Sequence, residues 1–395
     1  MTVRCASIFS QLLSVFPRVE FAGLVRKHRA EKAAKGFSCW SQLVAMLFCQ
    51  LAQAKSLREI TGGLRCCLGK LAHLGIQEAP KRSTLSYANA HRPWQLYEDL
   101  FYSVLARCRD QAPAKPFRFK NKLLSLDATV IDLCLALFPW AKFRRTKGAI
   151  KLHLLLDHDG YLPAYCLITE GRTHDLHAAW LLDLAPESIV ALDRAYNDYA
   201  LFGAWTEKRV WFVTRMKENA VYTVERELPV PQNRNILKDE IIMLTGVRAS
   251  RNCPYPLRRI VVWDVKNSCE IVLLTNHLAF GATTVAAIYK DRWQIELFFK
   301  ALKQNLKVKT FVGTSDNALR IQIWTALIAM LLVKYLQFRS RLGWSLSNLI
   351  ALLRWNLFTY RDLWEWLDDP YDTPPLVPEP LQLDLPVMDV GQHPR

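Results

Sequence analysis

Three carboxylates stand in apolar surroundings. Asp127 lies within Lys122–Leu133 (KLLSLDATVIDL), Asp193 closes the run SIVALD, and Glu296 sits among Trp293, Ile295, Leu297, Phe298 and Phe299. Placing a carboxylate among such neighbours is costly unless it is paired or metal-bound. Taken singly, each reads more readily as a salt-bridged or half-exposed acid than as a functional one. Together, three hard oxygen donors suit Mg2+, which keeps several of its waters. Two such ions about 4 Å apart can activate an attacking oxygen and stabilise the leaving oxygen of a phosphodiester. Tyr289, Arg292, Glu296 and Lys303 follow one another at +3, +4 and +7. At about 3.6 residues per turn this puts all four on one helix face. Arg292 and Lys303 could then grip phosphates on either side of the carboxylate. The alternative is a solvated face with a local Arg292–Glu296 ion pair, worth about 0.3–0.5 kcal/mol. Lys307, just beyond, extends the basic run.

The flanking sequence supplies elements to hold these groups. Lys122–Leu133, Ile150–Asp157 and Leu162–Thr169 read as three strands of an antiparallel meander, with a turn at His158-Asp159-Gly160. Leu176–Leu184 is then helical, Ser188–Asp193 a buried strand, Tyr199–Lys208 helical and Val210–Met216 a strand. The order β-β-β-α-β-α-β is that of a ribonuclease-H-like fold. In such a sheet the middle of the first strand and the end of the fourth are neighbours. Residues 217–280 interrupt the pattern and predict a β-rich insertion, with strands at Glu240–Leu244, Leu257–Val265 and Cys269–Leu274. A long helix, Thr283–Leu306, follows. The expected class is α/β: a ribonuclease-H-like mixed-sheet core over 116–310, an all-helical region over 1–115, C-terminal helices over 311–360 and an acidic Pro-rich tail over 361–395.

Charge sharpens the division. The chain of 395 residues carries a formal net charge of +16. Residues 1–120 hold 19 Lys/Arg against 7 Asp/Glu, while residues 362–395 hold one Arg and eight acids. So basic a chain points to a polyanionic partner, nucleic acid first. Short helices with basic connectors (Lys81-Arg82, His91-Arg92) suit a helix-turn-helix-like DNA reader, or a helical packing module. The ten cysteines form no Cys-x-x-Cys pair, which argues against a zinc ribbon or thioredoxin-like site. Met1–Arg18 lacks the pattern of a signal peptide, so a reducing cytoplasm is expected. Ile321–Val333 is apolar but short for a bilayer span of about 20 residues, and reads as a buried core helix.

The run Tyr289-x2-Arg292-x3-Glu296-x6-Lys303 resembles the Tyr-Arg-Glu-Lys signature of bacterial insertion-sequence transposases of the DDE type, the IS-four family. LSLDATVIDL around Asp127 and ALDRAYNDY around Asp193 resemble the segments that carry the family's two aspartates. FSCWSQLVAMLFCQLAQAKSLREI and APKRSTLSYANAHRPW resemble the N-terminal region of one branch. The resemblance covers roughly residues 10–345. Where the family often has Gly after the Asp-Arg pair, this chain has Ala195. The resemblance implies Mg2+-dependent cleavage at element ends and strand transfer into target DNA. Asp127, Asp193 and Glu296 would hold two Mg2+ ions, with Mn2+ able to substitute. Tyr289, Arg292 and Lys303 would lie on the DNA backbone. The partners would be double-stranded DNA, as element ends and target, and a second copy of the chain; no membrane is implied. The helices of Ile321–Leu353 offer surface for that homodimer.

Other segments carry weaker signals. Lys142, Arg144, Arg145 and Lys147, between the first two strands, read as a DNA-backbone contact or a basic surface turn. Lys81 and Arg82 are further DNA candidates. His174-Asp175 resembles a recurring family segment, with structural roles equally open. Trp263 in the insertion could stack on an unpaired base, but a core tryptophan is the favoured reading. Trp355, Trp364 and Trp366 read as packing or a dimer surface. Two rival functions remain: another ribonuclease-H-like nuclease, and an inactive DNA-binding descendant acting as a regulator.

Overall fold

The computed structural model describes residues 6–376 except 33, 35, 68, 145, 146, 233 and 309. Six helices come first: α1 (Ile8–Leu13), α2 (Arg18–Lys27), α3 (Cys39–Leu51), α4 (Leu57–Cys66), α5 (Arg82–His91) and α6 (Gln95–Arg109). Their starts follow the capping chemistry of the sequence. Ser56 Oγ accepts from the Glu59 N–H at 3.2 Å, and the Glu59 carboxylate takes the Lys55 N–H at 2.8 Å. α3 is apolar almost all round, and Leu43 through Leu47 are fully buried.

The sheet begins with β1 (Leu123–Leu133), β2 (Lys142–Arg144), β3 (Lys147–Asp157) and β4 (Leu162–Glu170). Next come α7 (Asp175–Trp180), β5 (Ile189–Leu192), α8 (Tyr199–Glu207) and β6 (Trp211–Arg215). β1 runs antiparallel to β3 and parallel to β5, and β5 runs parallel to β6. With β4 on the far side of β3, the order β4-β3-β1-β5-β6 is the ribonuclease-H-like arrangement expected from the sequence.

The insertion contains β7 (Tyr222–Glu227), β8 (Ile236–Leu244), α9 (Val247–Asn252), β9 (Leu257–Asp264) and β10 (Cys269–Thr275). Its strands extend the core sheet, because β10 pairs antiparallel with β6 and the order continues β6-β10-β9-β8-β7. Trp263 lies near the end of β9 with 38% of its surface exposed, so it is not the core residue expected.

α10 (Ala282–Asp291) and α11 (Trp293–Asn305) replace the single predicted helix. The break is local. Arg292 keeps a right-handed helical backbone, but the Ile295 N–H bonds the Arg292 carbonyl one residue short of the α-helical spacing. α12 (Asp316–Arg339) is longer than the apolar run suggested, since Ser315 caps it a turn earlier. At 24 residues it is long and apolar enough to cross a membrane, yet 83% of its most apolar window is buried inside the protein. It packs against α3, α5, α6 and α13 (Leu346–Asn356). Ile321–Val333 is the buried core helix expected, so within the Ile321–Leu353 helices it does not offer the dimer surface also expected of them. The N-terminal helices, α11–α13 and one face of the sheet thus share a continuous apolar core. The segment read as an extended tail starts with another helix, α14 (Leu363–Asp368), whose Trp366 is fully buried. Trp355, by contrast, is 78% exposed. Residues 377–395 lie outside the described residues.

Candidate active site

The register of two parallel strands brings the aspartates together. Leu126 of β1 stands opposite Leu192 of β5, so the next residues, Asp127 and Asp193, are neighbours where β5 ends. Asp193 leads into a tight turn, Arg194–Tyr196, whose Tyr196 N–H bonds the Asp193 carbonyl at 3.0 Å. Ala195 lies in that turn and is not among the residues of positive φ, so the turn does not require glycine. α11 crosses β1 and carries Glu296 in its first turn.

One guanidinium serves two of the three acids. Arg292 Nη2 donates to Glu296 Oε1 at 2.9 Å, and Nη1 lies 3.9 Å from Asp127 Oδ2. Its Nε is buried and finds no acceptor among the described residues. Its charge lies 5.5 Å from the ring centre of Tyr289. Burial pushes the Asp127 carboxyl up to about 6; the negative charges of Glu296 and Asp193 add to this, while the Ala128 N–H at 2.8 Å and Arg292 oppose it. Burial likewise raises the Tyr289 phenol, with Arg292 opposing and Asp193 adding.

Asp127 thus feels the charges of both other acids, with Arg292 opposing them. As they stand, no three His, Cys, Asp or Glu side chains among the described residues converge closely enough to hold an ion. The reason is visible: Glu296 turns toward Arg292, and that guanidinium lies between it and Asp127. Hard oxygen donors with surplus negative charge fit a divalent cation by chemistry, provided Glu296 is released from Arg292.

The other expected contacts are dispersed. Lys303 Nζ donates to the Val130 carbonyl at 2.9 Å, tying α11 to β1. Lys307 lies away from the acids, near Lys55, Arg354 and Glu59, and its ammonium is pushed down chiefly by burial. Lys142 and Arg144 form β2 and Lys147 begins β3, a hairpin off β1; Arg145 lies outside the described residues. Lys81 and Arg82 are exposed at the start of α5, which packs on α3, α4 and α12. His174 caps α7 through the Leu176 N–H. Asp175 is held by Lys151 at 3.0 Å.

Two neighbours escaped the sequence reading. Arg215, at the end of β6, is near enough to Tyr289 to act on its phenol. Tyr196 is buried beside the aspartates, and burial together with Asp127, Asp175 and Asp193 raises its phenol far above the usual range. Neither had a local signal: one is a lone arginine in a strand, the other a lone tyrosine in a turn.

Comparison with known proteins shows the family. Residues 118–332 match the family model described as "Transposase DDE domain", and residues 4–77 match one described as a domain of unknown function (DUF4372). The chain is 31% identical over 289 residues to "Putative transposase y4zB" of Sinorhizobium fredii, covering 72% of this chain and 80% of that protein. It is 28% identical over 255 residues to "Probable transposase for insertion sequence element IS5377" of Geobacillus stearothermophilus, covering 64% and 67%. Among solved structures, a piggyBac transposase synaptic complex with hairpin DNA aligns with a TM-score of 0.42 and 10% identity, over 93% of this chain and 81% of that one. The matched family covers more than half of the sequence and all three acids, and the chain belongs to the DDE transposases of bacterial insertion sequences, enzymes that act on DNA and depend on a divalent metal ion.

Proposed function

We propose that Asp127, Asp193 and Glu296 hold two Mg2+ ions, with Mn2+ able to substitute, and that the chain performs cut-and-paste transposition as a Tyr-Arg-Glu-Lys member of the IS-four family. The observation that carries this reading is the Asp127 carboxyl. It is half-buried beside two further acids, and the Arg292 guanidinium bonds Glu296 in preference to it. When bound, the ions would supply Lewis acidity and an activated water for cleaving a phosphodiester. The chain's own residues supply the rest. Arg292, released from Glu296, can take a phosphate oxygen with the face that now lacks an acceptor. Tyr289 lies under the same guanidinium and positions it. Lys303 holds α11 against β1 and stands close to the DNA path. The β2–β3 hairpin, with Lys142, Arg144, Arg145 and Lys147, supplies backbone contacts, as does Lys307. Residues 1–115, with Lys81 and Arg82, bind the element ends. Two copies join two ends in the assembled complex, and the enzyme acts in the cytoplasm.

A strand-transfer assay tests this reading. With Mg2+, a labelled element end should be cut and its 3′-OH joined to target DNA. Cutting without joining would identify a nuclease, and binding without cutting an inactive descendant.

A further inference from the structure

A second polar network lies beside the carboxylates. His158 Nδ1 stands 2.6 Å from Asp291 Oδ2, and His158 Nε2 stands 2.7 Å from Ser125 Oγ. The Tyr161 hydroxyl lies 3.4 Å from both oxygens of Asp291. Ser125 and His158 are fully buried. The imidazole bridges the two: Nδ1–H can donate to the Asp291 carboxylate while Nε2 faces the Ser125 hydroxyl. The constellation has the members of a hydrolytic triad, but Ser125 is closed to any substrate and is no nucleophile.

Its place in the fold points to another role. Ser125 is two residues before Asp127 on β1, so the two share a face of the sheet. Asp291 is the last residue of α10, immediately before Arg292 and the helix break. The network therefore ties the strand bearing one acid to the junction bearing the next. At the other end of α11, Lys303 donates to Val130 of the same strand. These two ties bracket Asp127 on β1 and Glu296 on the helix.

We infer that Ser125, His158 and Asp291 form a positioning relay that fixes the α10–α11 junction on β1, so that Arg292 and Glu296 face Asp127. The inference rests on the metal reading above. Partners that orient metal ligands typically contribute about 10–100-fold in metal affinity or activity.

The experiment is a Mn2+ titration of the full chain followed by electron paramagnetic resonance, with thermal unfolding in parallel. Asp291→Asn and Ser125→Ala should each weaken Mn2+ binding about 10–100-fold. Mg2+-dependent cleavage should fall with it and recover partly at high Mn2+, while binding of end DNA is unchanged. Leu47→Ala, in the fully buried part of α3, is the control: it should lower Tm and leave Mn2+ affinity alone. If Asp291→Asn does not fold, Ser125→Ala decides, since it leaves the His158–Asp291 pair intact. Wild-type Mn2+ affinity in the folded relay variants, with binding lost in Asp127→Asn, overturns the relay. Wild-type affinity in Asp127→Asn instead overturns the metal reading beneath it. A matching loss of affinity in Leu47→Ala would reduce the relay to general stability.

Discussion

The same sheet buries acidic charge in two ways. In the insertion, Asp239 of β8 is gripped by Arg258 of β9 through Nε at 2.7 Å and Nη2 at 2.6 Å. Nη1 of that arginine goes to the carbonyls of Leu278 and Phe280. Both acid oxygens and the guanidinium are satisfied within the fold. In the middle of β1, Asp127 has its arginine at 3.9 Å, that arginine is bonded to Glu296, and a third acid, Asp193, stands alongside at the end of β5. A closed pair is architecture. An open set of acids is costly to the fold, and under the proposed function a bound cation would offset that cost.

Breaking the closed pair should give the larger change in stability. Arg258→Ala would leave Asp239 buried and unpaired, a loss of about 3–5 kcal/mol. Denaturant unfolding would check this, and a change under about 1 kcal/mol would remove the contrast. Asp127→Asn should instead be neutral or stabilising at pH 7, because it removes a charge the fold opposes.

The pH dependence follows from the same carboxyl. Its folded pKa of about 6 lies above the ordinary 3.8. Between those values the unfolded chain releases the proton first, so stability falls as pH rises from about 4 to about 6 and is flat above. The amplitude is on the order of 2–3 kcal/mol. In Tm measured against pH, the wild type and Asp127→Asn should diverge across that window. Mg2+ should restore stability to the wild type above pH 6 and leave the variant unmoved.

Smaller effects are expected away from the acids. Lys81→Ala or Arg82→Ala should weaken end binding similarly across sequences and lower the salt slope by about one each. A filter-binding salt titration reads this directly. Lys307→Ala is the smallest: it removes one backbone contact, at a site among Lys55, Arg354 and Glu59, and should lower end binding and cleavage by no more than about twofold.

Much of the core was legible because it is local. SIVALD and KLLSLDATVIDL read as buried strands, and parallel pairing then makes Asp127 and Asp193 neighbours. Ser56 and Glu59 announce the start of α4. Long-range choices were not legible. The attachment of β10 to β6 is a pairing decision that no local pattern encodes. β7 is polar and exposed on both faces, so its sequence resembles a loop. Helical spacing placed Tyr289, Arg292, Glu296 and Lys303 on one face, but could not show that Lys303 bonds a strand carbonyl or that Arg292 marks a break. Ser125, His158 and Asp291 are far apart in sequence and meet only through the tertiary fold.

The most direct measurement is cleavage of end DNA in Mg2+ by Asp193→Asn. The variant should bind the end within about twofold of wild type and leave it uncut, with cleavage reduced by more than the roughly 100-fold upper range for an outer-shell partner. Cleavage at the wild-type rate would show that Asp193 is not a metal ligand and that the open set of acids has another purpose.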